Sequence, residues 1–195
     1  MRKISVVNNL TLDGVMQAPG GPDEDTRSGF KHGGWAVPYN DEVKAKKMGE
    51  GMSRRRGGLL FGRRTYEHFF KVWPGRTDNP FSPVLDNTQK YVASTTMKEP
   101  LPWKNSTLLK GDAADAIAQL KTEGDDDLVI LGSGELVRSL MRHELIDEMV
   151  LLIHPLVLGT GRRMFADDGT LAKFELAESL PTTKGVIIAT YRLVA

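Results

Sequence analysis

The chain has 195 residues, of which 40% are hydrophobic and 26% charged, values typical of a globular protein that can bury a substantial core. Its 26 basic and 25 acidic residues leave a net charge of +1, which argues against a protein that binds nucleic acid through a strongly basic face. The lack of cysteine excludes disulfides, thiolate catalysis and cysteine-ligated zinc.

The length and the apolar pattern also bear on domain count and location. No apolar run approaches the roughly 18 residues of a membrane span, and the opening MRKISVVNNL turns polar too soon for a signal peptide. We therefore expect one domain over residues 1–195, located in the cytoplasm. The four histidines show no metal-ligand spacing, so we expect no metal site.

The predicted elements alternate through most of the chain. In chain order they are a strand at 3–7, a loop at 13–40, a helix capped by Asn40 and running to about Ser53, a strand at 58–62, a helix at 63–71, a loop at 73–88, strands at 89–94 and 106–111, a helix capped by Asp112, a strand at 126–132, a helix at 134–143 and strands at 147–159, 174–179 and 186–194. Strands that alternate with helices and then follow one another predict an α/β sheet with an antiparallel C-terminal hairpin and helices on both faces.

The loop at 13–40 is unusually long for a compact domain. It holds six glycines and three prolines, which oppose both helix and strand. A loop of this length is usually either disordered or functional, and its aromatic residues favour function. We therefore consider it a candidate lid over a site.

A strand that ends at Gly132 and a helix that begins near Gly134 form a GxG junction. Glycine permits close approach of a ligand, and the helix start presents unpaired N–H groups that suit a pyrophosphate. The third glycine of the dinucleotide fingerprint is absent, so a simple tight turn stays open as the alternative.

Two further strand ends carry groups that bind anions. FGRRTYE (61–67) places Arg63, Arg64 and Thr65 after a glycine, and guanidinium groups suit phosphate. VASTT (92–96) offers hydroxyls for a ribose or a 2′-phosphate. The alternatives are a solvated face for the arginines and a local turn for the hydroxyls. Because ligands of open α/β sheets bind outside the carboxyl ends of strands, the three ends together predict one site.

These segments resemble the dihydrofolate-reductase-like superfamily, most closely the reductase half of bifunctional riboflavin-pathway deaminase-reductases in a stand-alone form. The resemblance covers nearly the whole chain and rests on NNLTLDGVMQAPG (8–20), LLFGRRTYE (59–67), KYVAST (90–95), LVILGSGELVRSLM (128–141) and LIDEMVLLIHPLVLGTGRRMF (145–165). It implies a three-layer fold with a mixed sheet of eight or nine strands and a reductase that uses NADPH. It also implies a homodimer, with the apolar strand at 149–158 near the interface.

The resemblance assigns cofactor contacts residue by residue. The implied cofactor-binding residues are Thr11, Leu12 and Gly14 at the nicotinamide end, Gly62, Arg63, Arg64 and Thr65 at the phosphates, Ser94 and Thr95 at the adenosine ribose, and Gly132, Ser133, Gly134 and Glu135 under the pyrophosphate. An arginine beside a 2′-phosphate favours NADPH over NADH.

Candidate substrate and proton-transfer residues come from the first loop and the following helix. Asp13 and Asp41 are the carboxylates best placed to act on a substrate, although each has a structural alternative, a turn for Asp13 and the helix dipole for Asp41. Phe30, Trp35 and Tyr39 could wall a flat heterocycle, or belong to the core.

Two functional classes follow from this pattern. The first is an NADPH-dependent reductase that transfers a hydride to a small heterocyclic compound, pterin-like or flavin-pathway-like. The second is a non-catalytic dinucleotide- or ligand-binding module on the same fold. The deaminase half is absent, so a role in riboflavin synthesis itself does not follow from the sequence.

Overall fold

A computed structural model describes residues 1–54, 57–165, 167–168 and 170–194. The strands are β1 (Ile4–Thr11), β2 (Leu59–Gly62), β3 (Lys90–Ala93), β4 (Ser106–Leu109), β5 (Leu128–Leu131), β6 (Glu148–His154), β7 (Phe174–Pro181) and β8 (Ile187–Leu193). The helices are α1 (Glu42–Arg54), α2 (Arg63–Val72), α3 (Phe81–Asn87), α4 (Ala113–Thr122) and α5 (Gly134–Arg142).

The eight strands form one mixed sheet in the order β4-β3-β2-β5-β1-β6-β8-β7. Neighbouring strands from β4 to β6 are parallel, whereas β6 pairs with β8 and β8 with β7 in antiparallel fashion. The predicted mixed sheet with an antiparallel C-terminal hairpin is therefore confirmed.

Two apolar clusters show that the helices cover both faces of the sheet. Side chains of α4 and α5 pack with Leu60 and Ile130 on one face, and side chains of α2 and α3 pack with Phe61 and Val129 on the other. Successive strand residues point to opposite faces, so each buried strand serves both clusters and must be apolar throughout.

Helix α3 lies within the segment 73–88 that the sequence predicts as a loop, so that prediction is wrong. Pro80 is the N-cap residue and Pro83 lies in the first turn, where a missing N–H breaks no helical hydrogen bond. Ser82 and Leu85 are buried and fix the helix against the sheet. Tertiary packing of one short face therefore outweighs the proline content.

Other boundaries also differ from the prediction. The strand predicted at 147–159 ends at His154, because Pro155 has no N–H to donate. Strand β1 continues through Asn8 and Asn9 to Thr11, because β6 pairs with it as far as Thr11, whereas its pairing with β5 ends at Val7. Helix α1 is capped by Asp41 and not by Asn40, since the Asp41 side chain accepts the Lys44 N–H at 2.8 Å. The predicted Asp112 cap of α4 is confirmed.

The loop at 13–40 has no strand and no α-helix, and it encloses a small core of its own. Val15, Ala18, Phe30 and Trp35 are buried together in it. Two short 3-10 turns, at 27–29 and 37–39, are its only helical pieces. Over the residues that the structure describes, no helix is long and apolar enough to cross a membrane.

Candidate functional site

Two strand-to-helix junctions meet at the carboxyl edge of the sheet. Strands β2 and β5 are neighbours, but β2 leads into α2 on one face and β5 leads into α5 on the other. The backbone N–H of Gly62 donates to the Ser133 hydroxyl oxygen at 3.0 Å. Diverging connections of this kind leave a crevice outside the strand ends, which is where ligands bind in open α/β sheets.

The backbone of the β5–α5 junction requires the residues found there. Gly132 has φ +71°, and a Cβ at this position would lie 3.6 Å from the Thr65 methyl carbon. Ser133 has φ 57° and does not cap its own helix, because its hydroxyl serves Gly62. The first N–H groups of α5 therefore lack a side-chain cap and carry partial positive charge toward the crevice.

Helix α2 presents a second uncapped start on the same crevice. Its N-cap residue is Gly62, which has no side chain to bond the first turn. Arg63 forms a 3.3 Å pair with Glu67 at the exposed surface, a type of pair that contributes about 0–1 kcal/mol. Arg64 is exposed and makes no ion pair with any residue in the described ranges. Both guanidinium groups can therefore turn toward an anion at little cost.

The end of β3 lies beside this crevice. Ala93 is the register partner of Gly62, so Ser94 and Thr95 follow at the same edge. The Ser94 hydroxyl accepts the N–H groups of Thr96 and Met97 at 3.2 and 3.1 Å, which is the local turn left open by the sequence. Thr95 is exposed, and an open depression beyond it is lined by Lys98 and Lys110.

The first loop reaches the other side of the α5 start. A Cβ on Gly134 would lie 2.5 Å from the Met16 sulfur, so glycine is what lets this loop cover the junction. The Glu135 carboxylate forms ion pairs with Arg138 at 2.6 Å and Arg162 at 3.2 Å. A contact between Glu135 and the cofactor stays a prediction.

The Asp13 carboxylate is already used in hydrogen bonds to neighbouring residues. Its carboxylate accepts the Thr11 hydroxyl at 2.5 Å and the N–H groups of Leu158 and Gly159 at 3.2 and 2.9 Å. Burial would raise the pKa of Asp13, but these hydrogen bonds outweigh it and lower the pKa. The geometry therefore matches the turn-shaping alternative, and a catalytic role for Asp13 stays a prediction.

The neighbouring residues Leu12 and Gly14 belong to the same turn. Leu12 is 64% exposed, and its N–H donates to the Leu156 carbonyl at 2.9 Å. Gly14 has φ +78° and accepts the Met164 N–H. The turn that the resemblance places at the nicotinamide is thus fixed to the segment after β6.

Asp41 lies outside the crevice and joins α1 to the β7–β8 turn. Its carboxylate accepts the Lys44 N–H, the Thr183 hydroxyl at 2.7 Å and the Lys184 N–H at 3.1 Å. The Lys44 hydrogen bond is the largest cause that lowers the pKa of Asp41 to about 2. Such a group does not donate protons near neutral pH, so the geometry favours a structural role.

The three aromatic residues of the loop that are predicted to contact a substrate differ in their burial. Phe30 and Trp35 are each 7% exposed and lie in the loop's own core, as the alternative reading of the sequence allowed. Tyr39 is partly exposed and lies at the inner end of the loop. Their contact with a substrate stays a prediction.

The sequence excludes the histidines only as metal ligands, and one of them is a buried polar residue at this edge. His154 ends β6 as the register partner of Thr11, and its side chain is completely buried. Its Nε2 lies 3.0 Å from the side-chain amide oxygen Oδ1 of Asn9, and its ring meets the rings of Trp35 and Tyr39 edge to face. A histidine that ends an apolar strand, as His154 does, was the available signal.

The fold and this edge can now be compared with known proteins. The family model of the RibD C-terminal domain matches residues 2–188. The chain belongs to the RibD C-terminal domain family. The family expected from the motifs is therefore confirmed over almost the whole length.

Two relatives of this family member are proteins of Bacillus subtilis that are themselves uncharacterised. YyaP is 23% identical over 137 residues, which are 68% of this chain and 72% of YyaP. YwjB is 32% identical over 107 residues, which are 55% of this chain and 57% of YwjB. Because both are described as uncharacterised, they assign no activity to this chain.

Solved structures share the fold at low identity. A protein described as a riboflavin biosynthesis protein, from Shewanella sp. PV-4, aligns with a TM-score of 0.70 and 24% identity over 99% of both chains. Dihydrofolate reductase from Enterococcus faecalis, complexed with NADP(H) and RAB-propyl, aligns with a TM-score of 0.63 and 14% identity. The alignment covers 99% of this chain and 97% of the enterococcal chain. A pyrimidine reductase-like protein from Corynebacterium diphtheriae aligns with a TM-score of 0.63 and 12% identity. The alignment covers 100% of this chain and 92% of the corynebacterial chain. The dihydrofolate-reductase-like fold is thereby confirmed.

Proposed function

We propose that this RibD C-terminal domain protein is an NADPH-dependent reductase that transfers a hydride to a small heterocyclic compound. The observation that carries the proposal is the contact between Gly62 and Ser133, which joins two uncapped helix starts across one crevice. Two helix starts, the weakly paired guanidinium group of Arg63 and that of Arg64, which has no ion pair among the described residues, suit a ligand with several phosphates. The enterococcal neighbour, which holds NADP(H), has the same fold.

The residues present fit the phosphates of a dinucleotide. Gly132, Ser133 and Gly134 would hold the pyrophosphate with backbone N–H groups, and a side chain on either glycine would fill the space between α2, α5 and the first loop. Arg63 and Arg64 would bind the 2′-phosphate, with Ser94 and Thr95 near the ribose. This arrangement makes NADPH the expected cofactor over NADH.

The remaining contribution of the chain is orientation and exclusion of water. The cofactor supplies the hydride, and the protein must hold the acceptor against it in a dry site. The turn at residues 11–14 is fixed by Asp13, and Met16 covers the α5 start. The first loop would thus close the nicotinamide end of the crevice.

A thermal-shift comparison of NADPH, NADH and no ligand tests this proposal. A ligand at a hundred times its Kd stabilises the folded state by about 2.7 kcal/mol, equivalent to about 5–10 °C for a domain of this size. We expect the larger shift with NADPH, and a smaller difference between the two cofactors in Arg63→Ala and Arg64→Ala.

Arg192→Ala, on the exposed surface of β8, is the matched control and should retain the full preference. If neither cofactor raises the melting temperature, the reductase proposal is wrong. If the preference persists in both crevice variants, Arg63 and Arg64 do not bind the 2′-phosphate.

A non-catalytic binding module is the second candidate, and one observation favours it. Both candidate acids, Asp13 and Asp41, have lowered pKa values and use their oxygens in structural hydrogen bonds. A module that binds NADPH tightly but shows no cofactor oxidation with a broad panel of pterins and flavin-related heterocycles would support this alternative.

We also propose a homodimer and a cytoplasmic location. The strand that the sequence places near the interface, β6, lies between β1 and β8 and buries its apolar side chains in the chain's own core. The better candidate surface is β7, the sheet edge, where residues 175–179 are all exposed. An open edge with exposed apolar residues suits a second copy of the chain.

A further inference from the structure

One polar side chain interrupts the apolar face that strand β1 turns toward α4 and α5. Ile4, Val6 and Leu10 are buried in the core cluster of that face, and the alternation of side chains along the strand places Asn8 among them. Asn8 is 4% exposed, so its amide is almost entirely withdrawn from water. A buried amide in the middle of a sheet costs free energy unless its hydrogen bonds are made, so its presence requires an explanation.

The Asn8 amide makes only a weak contact within the described part of the protein. Its Nδ2 donates to the Met16 sulfur at 3.6 Å, and a thioether sulfur is a poor acceptor. Among the described residues, Oδ1 of Asn8 accepts no hydrogen bond. The neighbouring Asn9, which points to the opposite face of the sheet, has its Oδ1 paired with His154 Nε2 at 3.0 Å. Asn8 therefore differs from Asn9 in keeping both a donor and an acceptor available.

Asn8 lies beside the strand ends that form the crevice. The Gly132 N–H donates to the Val7 carbonyl at 3.4 Å, which puts Asn8 next to the β5–α5 junction. Met16 contacts Asn8 and also covers Gly134, since a Cβ on that glycine would lie 2.5 Å from the sulfur. One methionine side chain therefore contacts both the Asn8 amide and the α5 start, where the pyrophosphate is proposed to bind.

Met16 is the part of this arrangement that a ligand can displace. It is partly exposed, and its side chain is long, unbranched and flexible. Its backbone is held in place, because the Met16 N–H donates to the Arg162 carbonyl at 2.9 Å. Rotation of this one side chain would uncover the Asn8 amide while the backbone of the first loop stays where it is.

We infer that Asn8 binds the carboxamide of the nicotinamide and thereby selects a pyridine carboxamide at the hydride-donating end of the cofactor. A primary carboxamide has a carbonyl acceptor and two N–H donors, which is the complement of an asparagine side chain. Asn8 Oδ1 accepts a carboxamide N–H, and Asn8 Nδ2 donates to the carboxamide oxygen. Two hydrogen bonds fix the rotation of the ring and so determine which of its faces turns to the hydride acceptor. This inference rests on the proposed function, because it takes NADPH as the ligand.

Calorimetric titration of the full chain with NADPH and with its reduced 3-acetylpyridine analogue tests the pairing. The analogue carries a methyl group in place of the carboxamide nitrogen, so it cannot donate to Asn8. We expect the natural chain to bind NADPH about tenfold more tightly than the analogue, the effect of one hydrogen bond, and Asn8→Leu to bind the two alike. Leucine has the same branching as asparagine and removes an unpaired amide from an apolar face, so the midpoint of urea unfolding without ligand should not fall.

Asn9→Leu, at the next residue but on the opposite face, is the matched control and should keep the tenfold preference of the natural chain. If Asn8→Leu does not fold, Asn8→Ala carries the same test with a smaller side chain. Equal affinity of the natural chain for the two cofactors, or a preference that persists in the Asn8 variant, would overturn the role of Asn8 while the reductase proposal stands. If the natural chain does not bind NADPH at all, the reductase proposal and this inference are both wrong.

Discussion

A carboxylate that accepts several hydrogen bonds loses its ability to deliver a proton. Asp13 and Asp41 both lie near the first loop, and each accepts at least three hydrogen bonds from hydroxyl or backbone N–H groups. These bonds stabilise the ionised form and lower both pKa values. At the scale of single residues, the two acids therefore maintain the geometry of the site.

Asp41 gives a pH-dependent prediction. Its pKa is about 2 in the folded state against 3.8 in the unfolded chain, so its stabilising effect is present above pH 3.8 and is lost as the pH falls to about 2. Asp41→Asn should be less stable than the natural chain at pH 7, and the difference should disappear near pH 2. Urea unfolding at pH 7, 4 and 2 measures this.

Asp125→Asn, an exposed carboxylate, is the control, and it should show no comparable change with pH. A stability difference for Asp41→Asn that is constant from pH 7 to pH 2 would show that the carboxylate charge is not responsible. Retained turnover in Asp41→Asn would further support the structural role.

At the scale of elements, the site depends on two helices that begin beside each other without caps of their own. The Ser133 hydroxyl accepts the Gly62 N–H, and this hydrogen bond holds the β2–α2 junction against the β5–α5 junction. The first N–H groups of α5 are therefore left without a side-chain cap. Capping its own helix would have stabilised α5 by about 1 kcal/mol. The arrangement thus gives up some local stability for a binding crevice.

Ser133→Ala tests the link between the junctions. Removing the hydroxyl leaves the Gly62 N–H without its acceptor, which should lower the free energy of unfolding by about 1 kcal/mol. The two helix starts would also lose their relative position, so NADPH affinity should fall about tenfold. Urea unfolding and NADPH fluorescence titration measure the two effects.

Ser139→Ala, further along α5, should change neither quantity by a comparable amount. Full NADPH affinity in Ser133→Ala would show that the hydroxyl contact is not needed to hold the crevice together. Loss of stability without loss of affinity would restrict Ser133 to a structural role.

At the scale of the whole molecule, the centre of the sheet is well protected, and of its two edge strands, β4 and β7, the longer β7 is the more exposed. Strands β5, β1 and β6 are covered on both faces, whereas β7 bonds only to β8 and exposes Leu176 to 56%. Leu171 and Ile187 add exposed apolar surface in the same C-terminal part of the chain. An uncovered edge of this kind invites pairing with another chain.

We expect the protein to be a dimer through this edge. Leu176→Lys should shift the mass measured by light scattering from dimer to monomer, because it places a charge in the interface. Val84→Lys, at an apolar position on α3 that is 43% exposed, should leave the dimer intact. A monomeric natural chain, or a Leu176→Lys variant that stays dimeric, would contradict the β7 interface.

Periodicity and turn chemistry alone determined most of the elements. The apolar run LVIL at 128–131, bounded by an acidic turn and Gly132, indicates a strand buried on both faces, and Asp112 is a typical cap for the helix that follows it. The family motifs at the strand ends likewise placed Gly62 and Gly132 at one edge. These signals are local, so a single sequence carries them.

Tertiary structure decided what local pattern could not. Helix α3 exists because Leu85 finds a partner surface in the core, against the preference of its prolines. Asp41 became a link to the β7–β8 turn because residues 142 positions apart in the chain meet there. The contact between Gly62 and Ser133 has the same origin, because it joins residues 71 positions apart in the chain that only the pairing of β2 with β5 brings together.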